Sequence, residues 1–201
     1  MQRPFRLLAG LVVLMLVAGA CRADEYLPAG IVRTPPPEVG SVALPDATNG
    51  GEFSFRAEPG EVLVVYWGYT SCPDICPTTM ADLRRAVADL GNDGQRVEVA
   101  VVTVDPDRDT PDVLTAYVRA FFPDGTAVRT EEPAALEAAA RPFGASYEVS
   151  TNDDGYVEVV HTAFLYAIDD QGLIRLTWQF GIESEDIQLD LESLLKGYDN
   201  A

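Results

Sequence analysis

The chain has 201 residues, of which 47% are hydrophobic and 23% are charged, so it is long enough to bury the core of one domain. Its 32 acidic residues outnumber 14 lysines and arginines, which gives a formal net charge of −18 at pH 7. Because proteins bind nucleic acids through clustered lysine and arginine, this composition argues against a nucleic-acid partner. We interpret the acidity as a solubilising surface.

A basic and then apolar segment opens the chain. Two arginines precede an apolar run over 7–17, and the small residues Ala-Gly-Ala follow at 18–20. This pattern is typical of a secretory signal peptide, since the apolar run is about half the roughly 20 residues that a spanning helix needs. Cys21 comes directly after the small residues, as in a bacterial lipobox. We therefore predict a signal peptide over 1–20 and a lipid on Cys21; an ordinary signal peptide or an uncleaved anchor, with Cys21 incidental, are the alternatives.

The next segment, 21–40, is rich in proline and lacks apolar periodicity, which predicts a flexible tether. A single domain is predicted over 41–197. With a lipid on Cys21, this organisation predicts a domain anchored at the extracytoplasmic face of a bacterial cytoplasmic membrane.

Strand and helix patterns alternate beyond the tether. Apolar runs and alternating patterns bounded by turn signals predict strands over 52–58, 61–70 and 97–105, a strand, tight turn and longer strand over 146–169, and a strand over 172–181. Apolar residues at helical spacing predict helices over 78–91, 110–122, 132–144 and 184–197. This order implies an α/β fold with a mixed sheet and flanking helices. It is the thioredoxin-like order with an added N-terminal β-hairpin.

Two cysteines stand four residues apart in "GYTSCPDICPTTM", residues 68–80. In the predicted fold Cys72 lies just past the carboxyl end of a central strand and Cys76 in the first turn of the next helix, where helix N–H groups favour thiolates. Cβ atoms four residues apart on a helix are about 5–6 Å apart, whereas a disulfide needs about 3.5–4.5 Å. The spacing leans towards one shared metal ion and leaves a redox-active Cys72–Cys76 disulfide open.

His161 is the only histidine of the chain. A lone histidine is ordinarily a partly buried residue held by a backbone carbonyl. In the predicted fold, however, the loop that enters its strand lies against the cysteine loop. Two thiolates and one imidazole favour Cu(I), whereas Zn²⁺ normally takes a fourth ligand. His161 is therefore a candidate third ligand beside Cys72 and Cys76, with a histidine held by a backbone carbonyl as the alternative.

The segments "GYTSCPDICPTTM", "VTVDPDRDTPDVL" and "VVHTAFLYAIDDQG", in this order, resemble the Sco/SenC family of copper chaperones. The resemblance covers roughly residues 40–196. It implies a thioredoxin-like, membrane-tethered domain that binds copper, as Cu(I) or Cu(II), through Cys72, Cys76 and His161. The implied task is assembly of the binuclear copper centre of cytochrome c oxidase, by giving copper, by reducing that centre's cysteines, or both. The implied partners are the copper-receiving oxidase subunit and a second copper chaperone or a thioredoxin-like reductant.

Several carboxylates near the predicted site have open roles. Many family members carry an aspartate directly before the histidine, where this chain has Val160, with Glu158 two places earlier. Asp105 and Asp109 belong to "DPDRDT", where turn and helix-cap chemistry is the simpler interpretation. The alternative is that these carboxylates tune metal exchange or contact a partner. The same two interpretations apply to Asp74, which lies between the cysteines.

Three functions are compatible with the two cysteines and the histidine. A metallochaperone needs both cysteines and His161, whereas a thiol–disulfide oxidoreductase needs only the cysteines, with Cys72 or Cys76 as the attacking thiolate. A copper sensor or scavenger would use the same ligands without delivery. The sequence favours the metallochaperone over an enzyme.

Overall fold

The computed structural model describes the backbone of residues 26–199 and the side chains of residues 26–197. The predicted signal peptide and Cys21 lie outside these residues. The strands are β1 (Ala43–Pro45), β2 (Glu52–Ser54), β3 (Val62–Gly68), β4 (Val97–Thr103), β5 (Thr126–Val128), β6 (Tyr147–Thr151), β7 (Val157–His161), β8 (Phe164–Ile168) and β9 (Ile174–Gln179). The α-helices are α1 (Ile75–Asp89), α2 (Pro111–Phe121), α3 (Pro133–Phe143) and α4 (Ser184–Asp199). Over the described part of the chain, no helix has the length and apolar character needed to cross a membrane.

A five-stranded sheet in the order β5-β4-β3-β8-β9 forms the centre of the domain. β3 is parallel to β4, and β4 to β5, while β8 is antiparallel to both β3 and β9. All seven residues of β3 are buried, which explains why its sequence is one continuous apolar run. The predicted α/β fold with a mixed sheet is confirmed.

Two apolar layers cover the two faces of this sheet. Side chains of β3 alternate between them, because successive residues of a strand point to opposite faces. Tyr66 packs with α1, α2 and α4, whereas Trp67 packs with α3 and the β1–β2 hairpin. The ring of Trp67 meets Phe143 edge-on at 5.4 Å between centroids, in the core.

The predicted long strand at the end of 146–169 is wrong, because it is two strands, β7 and β8, and only β8 belongs to the central sheet. β6 and β7 pair only with each other in a separate hairpin. The break falls at Thr162, whose backbone N–H donates to the carbonyl of Ser146 at 2.9 Å and whose Oγ1 accepts from the N–H of Ser146 at 3.1 Å. His161 therefore ends β7 instead of opening β8.

Residues 26–40 differ from the flexible tether predicted over 21–40, because they lie along the sheet edge formed by β9. Ile31 and Thr177 exchange two backbone hydrogen bonds, of 2.8 and 3.1 Å, and the N–H of Val39 donates to Gly172 at 2.8 Å. An edge strand presents unpaired N–H and C=O groups, and this segment satisfies both groups of Thr177 and the N–H of Ile174 in β9. The residues before 26 lie outside the description.

Candidate metal centre

The two cysteines lie where β3 gives way to α1. We call residues 69–74, between these elements, the cysteine loop. Cys72 is half-buried in this loop, whereas Cys76, in the first turn of α1, is fully buried. This is the carboxyl edge of a central strand, the position at which open α/β sheets bind ligands.

The sulfur of Cys72 acts as the acceptor for the start of α1. The first backbone N–H groups of a helix have no partner within the helix. Here the N–H of Cys76 donates to Sγ of Cys72 at 3.3 Å, while the N-cap residue Asp74 makes no side-chain cap of its own. The local sequence thus points one sulfur at the positive end of the helix dipole, which favours its thiolate.

His161 reaches the same place from the far end of β7. Its Nε2 lies 3.5 Å from Sγ of Cys76, and its Nδ1 lies 3.2 Å from the carbonyl oxygen of Thr162. A hydrogen bond from Nδ1–H to this carbonyl assigns the tautomer in which Nε2 carries a free lone pair. The imidazole therefore offers its ligand atom towards the two cysteines.

The three ligand atoms of Cys72, Cys76 and His161 all lie within 4.8 Å of one another. Atoms that share one ion at about 2.0–2.3 Å each are at most about 4.6 Å apart, so a small closure would bring all three into bonding distance. Among residues 26–199 this group gains no fourth cysteine, histidine or carboxylate. A site with two soft sulfurs, one imidazole and three-fold coordination suits Cu(I) better than Zn²⁺.

The two thiols differ in acidity. Burial works against ionisation of Cys72, but hydrogen bonds from the side chain and N–H of Cys76, the N–H of Asp74 and the Tyr69 hydroxyl outweigh it and lower the pKa of Cys72. Burial, with the neighbouring Cys72, raises the pKa of Cys76 to about 12. Burial also lowers the pKa of His161, which keeps the imidazole neutral at pH 7 and able to bind a metal.

Two tyrosines enclose the imidazole. The rings of Tyr66 and Tyr69 meet that of His161 edge-on, with centroids 6.1 and 5.7 Å away. Gly68 between them has no side chain, and a Cβ there would come within 2.5 Å of the Tyr66 ring and 3.4 Å of the Cys76 sulfur. The glycine therefore lets the aromatic ring and the sulfur lie together behind the site.

Asp109 of "DPDRDT" fixes the start of the cysteine loop. Its carboxylate is fully buried and accepts from the N–H of Thr70 at 3.1 Å, from the hydroxyl of Thr70 at 2.5 Å and from the hydroxyl of Thr103 at 2.6 Å. The helix cap belongs to Thr110 instead, whose Oγ1 accepts from Val113 at 3.4 Å. Asp109 thus ties the end of β4 to the loop that carries Cys72.

The remaining carboxylates named in the sequence analysis do not belong to the group of three ligand residues. Asp105 is buried and pairs with Arg108, whose guanidinium lies 5.7 Å from the ring centroid of Tyr69. Asp74 is exposed. Glu158 is exposed on the side of the β6–β7 hairpin opposite to His161, because residues an odd number apart on a strand face opposite ways.

Sequence reasoning missed the part that Tyr66, Tyr69 and Thr70 play at the site. Tyr69 packs both against the core and on the ring of His161. The available signal was position: all three residues lie within six places of Cys72, at the end of the central strand.

The sequence of this chain matches a known protein family. The sequence model described as SCO1/SenC matches residues 43–196. The chain belongs to the SCO1/SenC family. An SCO2-like protein of Rickettsia prowazekii is 32% identical over 141 residues, which cover 69% of this chain and 68% of the relative.

Solved Sco structures have the same fold. The solution structures of apo Sco1 from Thermus thermophilus align with a TM-score of 0.72 and 30% identity, over 86% of this chain and 99% of that one. Bradyrhizobium japonicum ScoI, solved with copper bound, aligns with a TM-score of 0.65 and 26% identity, over 76% of this chain and 96% of that one. The thioredoxin-like fold expected from the sequence is confirmed.

Proposed function

We propose that this SCO1/SenC protein is a copper metallochaperone that carries Cu(I) on Cys72, Cys76 and His161 and helps to assemble the binuclear copper centre of cytochrome c oxidase. The observation that carries the proposal is the convergence of three ligand atoms within 4.8 Å of one another, drawn from two distant parts of the chain. The copper-bound ScoI relative supports copper as the cargo. The Sco family is described as one of cytochrome c oxidase assembly proteins, which supports the recipient.

The site suits a carrier that must also release its cargo. Cys76 is buried, whereas Cys72 and His161 are partly exposed, so an incoming ligand can reach the metal from one side. Three-coordination leaves room for an incoming thiolate, which can bind before a protein ligand leaves. Transfer can then proceed one ligand at a time, through an intermediate that both proteins hold.

In this proposal the domain works at the extracytoplasmic face of a bacterial cytoplasmic membrane, held by a lipid on Cys21. The basis is the signal-peptide and lipobox pattern of residues 1–21. Mass spectrometry of the protein extracted from membranes should find Cys21 as the first residue with a lipid on its thiol, and Cys21→Ala should lose both the lipid and this cleavage. An unmodified Cys21 in the wild-type protein would contradict lipid anchoring through Cys21.

Anaerobic Cu(I) titration of the reduced protein against a chromophoric chelator tests copper binding. We expect one Cu(I) per chain. Loss of an outer hydrogen bond to a ligand already costs about 10–100-fold in metal affinity, so His161→Ala should cost at least about 100-fold. The matched control is Val159→Ala, which trims the same hairpin without removing a ligand. A stoichiometry well below one, or equal affinities of wild type and His161→Ala, would reject the proposal.

Delivery is tested in cells that lack the gene. At low external copper we expect oxidase copper content and activity to fall, and to recover with the wild-type gene but not with His161→Ala. Normal oxidase copper in the deletion strain would instead favour a sensor or scavenger.

The acidity difference between the cysteines favours a second candidate, a thiol–disulfide oxidoreductase. The thiolate of Cys72 would attack a partner disulfide and release one partner thiol. Cys76, after losing its proton, would attack the mixed disulfide, forming the Cys72–Cys76 disulfide and releasing the second thiol; the two cysteines are oxidised and the partner is reduced. This reaction does not use His161, so full oxidase assembly by His161→Ala would favour it.

A further inference from the structure

The hydroxyl of Tyr66 lies in the core without a hydrogen-bond partner. Tyr66 is fully buried in the middle layer of the fold, on the sheet face that packs against α1. Its hydroxyl is among the buried polar atoms that bond to nothing within the described residues. An unsatisfied buried hydroxyl lowers stability, and such groups in native proteins often serve a functional state.

The hydroxyl of Tyr66 differs from the other unpartnered buried hydroxyls because its ring lies beside two of the ligand residues. The Tyr66 ring lies edge-on to His161, and the space that a Cβ of Gly68 would fill separates it from the sulfur of Cys76. The hydroxyl approaches the side chains of Cys76 and Thr79 without a hydrogen bond of regular geometry. Thr79 already donates its own hydroxyl proton to the carbonyl of Ile75 at 2.8 Å.

We propose that Tyr66 is a positioning residue of the copper site, whose hydroxyl donates a hydrogen bond to the sulfur of Cys76 when that sulfur is a metal-bound thiolate. The inference rests on the proposed function. A neutral thiol is a weak acceptor, so the hydroxyl gains little from it in the metal-free protein. A thiolate is a charged acceptor, and bonds to charged groups are roughly twice as strong as neutral ones.

The hydroxyl therefore discriminates between two states of the site. It is unsatisfied in the metal-free state and satisfied when Cys76 has released its proton to solvent and bound the metal. An interaction that stabilises one of two states shifts the balance by its differential free energy. Tyr66 thus tightens copper binding at a cost to the stability of the empty protein.

The substitution Tyr66→Phe removes only the hydroxyl. We expect this variant to bind Cu(I) about tenfold more weakly than wild type, which corresponds to one charge-assisted hydrogen bond. Its metal-free form should melt at the same temperature as wild type or higher, because an unsatisfied group has been removed. With Cd²⁺ as a spectroscopic probe, the thiolate-to-metal charge-transfer band should move to longer wavelength, since the sulfur lone pair loses its stabilising donor.

The matched control is Tyr166→Phe. Tyr166 is also fully buried with an unpartnered hydroxyl, but it packs on the other face of the sheet, against Phe143. This variant should keep wild-type Cu(I) affinity and an unshifted Cd²⁺ band.

Unchanged Cu(I) affinity in Tyr66→Phe would overturn the assignment, and so would equal losses of Cu(I) affinity in Tyr66→Phe and Tyr166→Phe. A lower melting temperature of metal-free Tyr66→Phe would also overturn it, because it would show that Thr79 already accepts a hydrogen bond from the Tyr66 hydroxyl. These three results test the role of Tyr66 only if the wild-type protein binds Cu(I). A wild-type protein that fails to bind Cu(I) would instead overturn the proposed function itself.

Discussion

The backbone N–H of Cys76 donates a hydrogen bond to the sulfur of Cys72, so the first turn of α1 holds one ligand while it carries the other. Helix N–H groups and the helix dipole stabilise an anion at this place. The same helix buries the second sulfur against the sheet. One short segment therefore produces an accessible sulfur that ionises readily and a buried sulfur that does not.

This asymmetry determines which cysteine reacts first. In the metal-free reduced protein we expect iodoacetamide to modify Cys72 at least about tenfold faster than Cys76 at pH 7, since the thiolate is the nucleophile and Cys76 is buried. Because the pKa of Cys72 is lowered, its rate should level off at a lower pH than that of free cysteine. Peptide mass spectrometry after timed labelling measures both rates. Faster labelling of Cys76 would contradict the geometry described here.

Asp109 should matter for both stability and metal binding, because it joins the cysteine loop to β4. In Asp109→Asn the amide NH₂ would face hydroxyl and N–H donors of Thr70 or Thr103. We expect a loss of about 2–3 kcal/mol in the free energy of unfolding, measured in urea, together with weaker Cu(I) binding. Asp112→Asn, an exposed change of the same kind in α2, should cost less than about 1 kcal/mol. Equal effects of the two substitutions would reject the anchoring role.

The order of elements and the ligand set could be predicted from the sequence because both have local signals. The run before Cys72 has the continuous apolar pattern of a buried strand, and the only histidine precedes another apolar run. The three-residue β5 was missed because an edge strand of this length has too few residues to show a pattern. The break at Thr162 was missed because it depends on a contact with Ser146, sixteen residues away.

The segment 26–40 was predicted as a tether for a similar reason. Its prolines and weak periodicity are typical of a linker, and its partners in β9 and α4 are more than 130 residues away in sequence. The contact of Tyr69 with His161 has no signal in the sequence, because hydrophobic spacing does not distinguish a ring that packs on other apolar groups from one that packs on a ligand.

The exposed position of Glu158 predicts that this carboxylate does not tune the site. His161 already has a hydrogen-bond acceptor for Nδ1 in the carbonyl of Thr162, the role that a carboxylate fills in many metal sites. We expect Glu158→Gln to keep Cu(I) affinity within about twofold, below the 10–100-fold loss typical of an outer-sphere partner. Chelator competition measures it, with His161→Ala as the positive control. A tenfold loss in Glu158→Gln would show that the hairpin turns this side chain towards the metal.

Asp190 should hold the N-terminal segment on the domain. This buried carboxylate of α4 accepts from the hydroxyl of Tyr26 at 2.6 Å, the N–H of Gly30 at 2.8 Å and Nε1 of Trp178 at 2.7 Å. Asp190→Asn should lower the free energy of unfolding by about 1.5–3 kcal/mol. It should also speed trypsin cleavage after Arg33, because a freed segment can enter a protease.

The matched control for this change is Glu185→Gln, an exposed substitution in the first turn of α4. It should leave the cleavage rate at its wild-type value. Unchanged cleavage in Asp190→Asn would mean that the backbone bonds to β9 alone fix the segment.

The stability of the metal-free protein should fall as the pH drops below the ordinary histidine pKa. Burial lowers the pKa of His161 in the folded chain below its ordinary value of 6.5, so the unfolded chain takes up a proton first as the pH falls. The stabilisation is present above pH 6.5 and is lost below it. Because the chain has one histidine, His161→Gln should remove this component of the slope between about pH 5.5 and 7, a range above the ordinary carboxyl pKa values. Urea unfolding at closely spaced pH values measures the slope, and an unchanged slope in His161→Gln would show that the imidazole is as easily protonated in the folded chain as in the unfolded one.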